Sequence, residues 1–319
     1  DRVLVVNSNR MTILDIIPVA DPRDLAISPD MNTLAVTNKS TDSVAFIDTN
    51  PSSPTFHTVV KTIALVDAAT GRRGEGPSEI VWQPEGEDVL VVCEKSQSLA
   101  IISGGSLVIR KIIPGVTRPR LLAVSNRDTL IGFNTQLYYA YIVSEEGQVV
   151  LFESGPDGIQ GIGFDDIIGK PAFDGRNGLS GASAVCMNPS SSGRLNVFIA
   201  YRSNGRGAVG ELWLDNAPGG PRPVNLPAGV LPDPNFRSKE WKLLHDYTGV
   251  FSSSSIVDLA VDDMNNIGGQ SYALSLYVGS TPVLHSCKSF HRPVPGGQVP
   301  VSNPRFLFAA NANGLVDVL

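Results

Sequence analysis

The side chains able to do chemistry are few and scattered. The chain has four histidines, His57, His245, His285 and His291, and three cysteines, Cys93, Cys186 and Cys287. His285, Cys287 and His291 are the nearest approach to a ligand cluster. Zinc takes imidazole and thiolate in a tetrahedron, with paired histidines separated by roughly three to five residues. The His-x5-His spacing meets that rule only loosely, and a pair of rings beside a loop is the plainer reading. No CxxC or CxxCH occurs, so zinc ribbons, thioredoxin-type redox chemistry and covalent haem attachment lack support. Cys93 continues the apolar run Val89-Leu90-Val91-Val92 and reads as a small core residue. Cys186 and Cys287 flank irregular stretches, and whether they pair is left open by any spacing rule. There is no Gly-x-Ser-x-Gly elbow to present a nucleophilic serine, so Ser252–Ser255 reads as a turn.

Oxygen ligands come closer together. Asp262, Asp263 and Asn265 lie within Asp262-Asp263-Met264-Asn265-Asn266, and Asp157, Asp165 and Asp166 lie in a glycine-rich stretch. Calcium is the ion that carboxylate and amide oxygens would take. Asx side chains capping their own turns explain both stretches equally well. No other cofactor is expected. Gly161-Ile162-Gly163 does not open a helix after a strand, so no dinucleotide fingerprint is present.

Charge narrows the partners. With 25 basic and 31 acidic residues the formal net charge is −6, which argues against nucleic acid as ligand. No apolar run approaches the roughly 20 residues of a transmembrane helix; the longest is Leu137–Val143. Hydrophobic residues at 42% are enough for a packed core, and 31 glycines with 23 prolines point to many turns.

These residues must be held by short elements, because one phrase recurs along the chain. An apolar run ends on a polar residue, a tight turn follows, and a second apolar run often ends in Asp. It reads Val3–Asn7 then Met11–Asp15; Thr33–Asn38 then Ser43–Asp48; Val89–Glu94 then Leu99–Ile102; Thr129–Asn134 then Tyr138–Val143; Val197–Arg202 then Val209–Asp215; Ala273–Gly279; and Phe306–Asn311 then Leu315–Val318. Runs this short, rich in Val, Ile and Leu and bounded by Asn, Asp, Gly or Pro, are strands rather than helices. Seven copies separated by 31 to 77 residues fill the sequence, against roughly 40–50 residues for a four-stranded propeller blade. One hairpin cannot bury both its faces, but blades stacked around an axis cover each other. The expectation is an all-β fold, a single seven-bladed β-propeller over residues 1–319, with six or eight blades as alternatives. Loop insertions are expected at about 155–181, 216–240 and 288–304.

A second phrase precedes several copies: Pro22-Arg23-Asp24-Leu25-Ala26-Ile27-Ser28-Pro29-Asp30, Pro77-Ser78-Glu79-Ile80-Val81-Trp82-Gln83-Pro84 and Pro119-Arg120-Leu121-Leu122-Ala123-Val124. With the following Leu-Ala-Val-Thr-Asn and Ser-Val-Ala-Phe-Ile-Asp-Thr, it resembles the YVTN repeat. The likeness is clearest over 20–113, weaker over 114–154 and at both ends, and weakest over 155–285. It implies a seven-bladed propeller related to surface-layer and periplasmic proteins, an extracytoplasmic location, and a binding or scaffold role.

In such a fold the starts of the inner strands gather around a channel. Arg23, Arg118 and Arg120 stand there and would bind an anionic ligand, unless they pair with carboxylates such as Asp24 or Glu79. The leading expectation is a non-catalytic module that contacts a protein or glycan partner through its loops. A propeller enzyme of the lactonase or hydrolase kind with an axial metal, a propeller subunit of a redox complex, and a surface-layer or filament component are the alternatives.

Overall fold

The computed structural model describes residues 1–7, 9–125, 128–129, 136–144, 146–154, 165–169, 179–187, 196–216, 239–262, 273–278, 281–286 and 306–318. Among these there is no α-helix; a single 3-10 turn covers Lys39–Thr41. Every other element is a strand, and every pairing is antiparallel. The chain divides into two compact units, Asp1–Lys170 with Pro223–Phe236, and Pro171–Arg222 with Arg237–Leu319.

The first unit opens with a two-stranded sheet, β1 (Arg2–Asn7) and β2 (Thr12–Pro18). Three four-stranded meanders follow. The first is β3 (Pro22–Ile27), β4 (Thr33–Asn38), β5 (Ser43–Asp48) and β6 (Val59–Ala64). The second is β7 (Pro77–Trp82), β8 (Asp88–Cys93), β9 (Ser98–Ser103) and β10 (Ile109–Pro114). In the third, β11 (Pro119–Val124) is followed by a small hairpin of β12 (Asp128–Thr129) and β13 (Gln136–Leu137). It then continues with β14 (Tyr139–Ser144), β15 (Val149–Glu153) and β16 (Asp166–Gly169).

Alternation decides how these sheets stack. On β8, Val89, Val91 and Cys93 pack with Ala35, Val44 and Phe46 of the first meander. Leu90 and Val92 point the other way, against Leu122, Ala140, Ile142 and Phe152 of the third. The second meander is thus buried on both faces, which is why β8 is apolar at every position but its first. Val36, Ala45 and Ile47 of the first meander pack on Val3 and Ile17. The opposite face of the β1–β2 sheet stays open, with Leu4, Val6 and Ile16 between 46% and 49% exposed. First strands lie side by side, β3 against β7 and β7 against β11. Consecutive meanders stacked face to face with neighbouring first strands are the arrangement of propeller blades.

The second unit has one further four-stranded meander, β17 (Ala184–Met187), β18 (Asn196–Ser203), β19 (Arg206–Asn216) and β20 (Lys239–Thr248). After it comes β21 (Ile256–Asp262), then a separate hairpin of β22 (Ala273–Val278) and β23 (Thr281–Ser286). β24 (Phe306–Asn311) and β25 (Val316–Val318) complete a three-stranded sheet with β21. Ala184, Phe198, Val209, Ile256, Leu259 and Leu307 form the core of this unit, and β17 lies against β21.

Three sequence readings are corrected here. The fourth copy was placed on Thr129–Asn134, but the second strand of that meander is β14; Thr129 belongs to the inserted hairpin. The sixth copy, Ala273–Gly279, supplies β22 of a separate hairpin. The supposed loop 155–181 contains β16, which pairs with β15 as the outer strand of the third meander.

Candidate functional site

The polar residue ending each repeat has a local cause. Asn38 Nδ2 donates to Ser43 Oγ across the β4–β5 turn, and Asn311 Nδ2 donates to the Leu315 carbonyl across the β24–β25 turn. Ser144 Oγ accepts from Gln148 N in the β14–β15 turn. Asn38 is buried, so the amide of the sequon Asn38-Lys39-Ser40 serves the turn.

The β4–β5 and β14–β15 turns share one end of the first unit with the starts of β3, β7 and β11. The residue before each proline adopts left-handed backbone: Asp21 at φ 42°, Gly76 at φ 65° and Arg118 at φ 43°. The connecting segments are stitched by main-chain bonds. Lys39 N donates to Asp21 O and Glu94 N to Gly76 O. Glu75 O accepts from Lys95 N and Ser96 N, and Gln97 O accepts from Val116 N. Asp42 Oδ1 accepts from Gly76 N at 2.7 Å, binding the first meander to the second.

On this rim Arg23, Lys95, Arg118 and Glu146 are exposed, while Asp21, Lys39, Glu75 and Glu94 are half-buried. Arg23 pairs with Asp21 at 3.1 Å, Lys39 with Glu94 at 2.6 Å, Lys95 with Glu75 at 3.2 Å and Arg118 with Glu146 at 2.6 Å. Solvent screens pairs of this kind, so they add little to stability. Register places Pro22, Pro77 and Pro119 at equivalent positions opposite Asn38, Cys93 and Ser144. Arg23, Ser78 and Arg120 therefore occupy equivalent positions on three consecutive first strands. The structure thus brings all three candidate arginines to one end of one row. Arg120 is exposed and makes no ion pair with a described residue.

Asp24 and Glu79 serve the main chain. Asp24 Oδ2 accepts a hydrogen bond from Ile80 N at 2.9 Å, and Glu79 Oε2 accepts from Leu122 N at 2.7 Å. Each carboxylate completes the main chain of the next first strand. The repeated Pro-x-Asp and Pro-x-Glu was the available signal. Burial raises the Asp24 carboxyl above the usual range, against the pull of the Ile80 N–H.

The other chemical candidates resolve as follows. Cys93 is buried, and burial pushes its thiol up to about 12; Cys186 on β17 is also pushed up to about 12 by burial. His57 Nδ1 lies 3.1 Å from Asp15 Oδ2, and its ring stacks on Phe56. Asp262 ends β21 opposite Phe306, while Asp263 and Asn265 lie outside the described residues. His285 is on β23 opposite Leu274; Cys287 and His291 also lie outside, as do most of loops 155–181 and 216–240 and all of 288–304. No three His, Cys, Asp or Glu side chains converge as a metal-holding group among the described residues.

One buried constellation was not foreseen. Arg110 Nη2 on β10 lies 2.8 Å from Asp88 Oδ2 and 2.7 Å from Asp165 Oδ1, and the Tyr138 hydroxyl donates to Asp88 Oδ2 at 2.5 Å. Lys111 Nζ adds a bond to the Asp165 carbonyl. This clasp ties the second meander to the third. Burial, followed by the Asp88 charge, holds the Tyr138 hydroxyl well above its ordinary pKa.

No family model matches the chain, and no curated protein does. Solved structures are similar in fold. A functionally unknown protein from Desulfotomaculum acetoxidans superposes with a TM-score of 0.58 at 14% identity, covering 100% of this chain and 75% of that one. Hydrazine synthase of Kuenenia stuttgartiensis gives 0.46 at 16%, covering 70% of this chain. A Bacteroides uniformis protein assigned as a 6-phosphogluconolactonase gives 0.44 at 15%, covering 66%. The chain spans 60% of the length of each of these two. Fold and stacking together define an all-β, propeller-like protein built from antiparallel meanders.

Proposed function

We propose that this chain is a seven-bladed propeller that serves as a non-catalytic binding scaffold outside the cytoplasm and holds a protein partner on the rim where its first strands begin. The observation that carries this reading is the contrast within the rim. Its main chain is fixed by bonds between segments, while Arg23, Lys95 and Arg118 stand exposed beside it. A surface ordered before it binds loses little further freedom on association, so even modest contacts give affinity. Binding residues placed on connections over a rigid scaffold are the usual division of labour in such folds. The extracytoplasmic location rests on the likeness to the YVTN repeat.

The test is a comparison of wild type with the rim variant Lys39→Glu/Lys95→Glu. Both proteins, matched in circular dichroism, are used to capture partners from a periplasmic or extracellular fraction. The reading expects a discrete protein that the variant fails to retain. Turnover of lactones or esters at enzyme-like rates, abolished by a chelator, would overturn it in favour of a propeller hydrolase.

A further inference from the structure

The geometry points to Arg72, Arg73 and Arg120 as exposed, unanswered cations that dock an acidic, carboxylate-rich polypeptide segment; this deepens the scaffold reading by naming the chemistry of the partner.

Four rim cations, Arg23, Lys39, Lys95 and Arg118, already have carboxylates within 3.2 Å. Arg72, Arg73 and Arg120 are exposed and have no carboxylate partner among the described residues. Arg72 and Arg73 stand on the β6–β7 connection, which is built to hold them. Asp67 is buried; its carboxylate accepts from Ala69 N at 2.9 Å and Thr70 Oγ1 at 2.6 Å, and its N–H donates to the Arg72 carbonyl at 2.9 Å. Val66 and Arg73 form a β-bridge. Gly71 is left-handed at φ 72°, and a Cβ on Gly74 would meet Cys93 Sγ at 2.7 Å. The two guanidinium groups therefore project from a backbone with little freedom left.

Arg72 Nη1 reaches the Ile112 carbonyl of β10 at 3.4 Å. The chain leaves β10 at Pro114 and arrives at Arg120 after six residues, anchored midway by Val116 N on Gln97 O. Arg72 thus reaches the last strand of the second meander, and Arg120 stands on the first strand of the third. Guanidinium groups present planar pairs of donors that match carboxylates. Among the described side chains Phe56 is the one exposed aromatic, and it lies in the β5–β6 connection stacked on His57. The rim therefore lacks a ring on which a sugar could stack, which favours carboxylates of a polypeptide over a glycan. On a chain of net charge −6, a local cationic spot also directs an acidic segment to one place and repels it elsewhere.

The test uses fluorescein-labelled decaglutamate, with decaglutamine and a polygalacturonate oligosaccharide as comparisons, read by fluorescence anisotropy. Wild type binds decaglutamate and not decaglutamine, with affinity falling as salt rises. Arg72→Ala/Arg73→Ala weakens binding by about tenfold or more, and Arg120→Ala weakens it severalfold. Lys61→Ala, on β6, leaves it unchanged. Asp67→Ala also weakens binding although it removes a negative charge, because the loop is no longer held. The proposal is overturned if decaglutamate does not bind, if the double variant behaves like Lys61→Ala, or if polygalacturonate binds more tightly than decaglutamate. Each of these leaves the scaffold reading to its own test, which rests on Lys39 and Lys95.

Discussion

Asp24 of β3 accepts the backbone N–H of Ile80 on β7 at 2.9 Å, so one blade-like sheet supplies the hydrogen bond that the next one's main chain requires. Removing the acceptor strands a half-buried donor, which costs about 1–3 kcal/mol. Asp24→Ala is expected to lower the denaturation midpoint accordingly in urea titrations. Asp24→Asn keeps an acceptor oxygen. Burial raises the Asp24 carboxyl, so ionising it costs stability as pH climbs from 3.8 through the folded value. The Asn variant escapes that loss and is expected to match or exceed wild type at neutral pH.

Opposite behaviour is expected of the turn carboxylates. Asp30 and Asp67 are held below the usual range, Asp30 first by the Ser28 hydroxyl and Asp67 first by the Thr70 hydroxyl. A lowered folded pKa gives stability that is present above 3.8 and lost as pH falls through the folded value. Thermal melts between about pH 5 and pH 2 should therefore slope downward in wild type. Asp67→Asn should flatten part of that slope and leave the rest to Asp30 and the other carboxyls held low, Asp48, Glu146 and Asp317.

Neither Cys93 nor Cys186 should react with a thiol reagent in the native protein. Both thiols are pushed up to about 12 by burial, so at about pH 8 almost no thiolate exists to attack. Maleimide labelling followed by intact-mass measurement should show these two modified only after denaturant is added. Rapid native labelling of Cys93 would contradict its place between the first two meanders.

The Asp88 clasp should matter far more than the rim pairs. Asp88→Ala takes one carboxylate from the half-buried Arg110 and removes the Tyr138 acceptor. Breaking one side of a buried pair costs about 3–5 kcal/mol. Glu146→Ala, which removes only the exposed partner of Arg118, should leave the melting temperature unchanged.

Much of this architecture was legible because the repeat marks a chemical need. A polar residue closes several of the hairpin turns, as Asn38 and Asn311 do, and aspartates such as Asp48 cap the loops that follow, here by accepting from Asn50 N. Strand runs buried on both faces, such as β8, were visible as unbroken apolar stretches. The third meander was misregistered because Thr129–Phe133 and Tyr139–Val143 are both short runs that read as strands, and periodicity does not say which one pairs with β11. The site was less legible. Arg23 and Arg118 do meet carboxylates, but these are Asp21 and Glu146, while Asp24 and Glu79 reach the neighbouring main chain. Sequence spacing shows which residues share a strand, but not which face of the next strand they reach. Asp165 was assigned to a loop for its glycine-rich surroundings, although it answers Arg110 across 55 residues.

Amide hydrogen exchange at Ile80 and Leu122 tests the stacking of successive meanders most directly. The account expects both amides to be protected in wild type, Asp24→Ala to release Ile80 while Leu122 stays slow, and Glu79→Ala to release Leu122 while Ile80 stays slow. Fast exchange of both amides in the unmutated chain, or an identical response to the two substitutions, would show that these strands do not lie side by side as described.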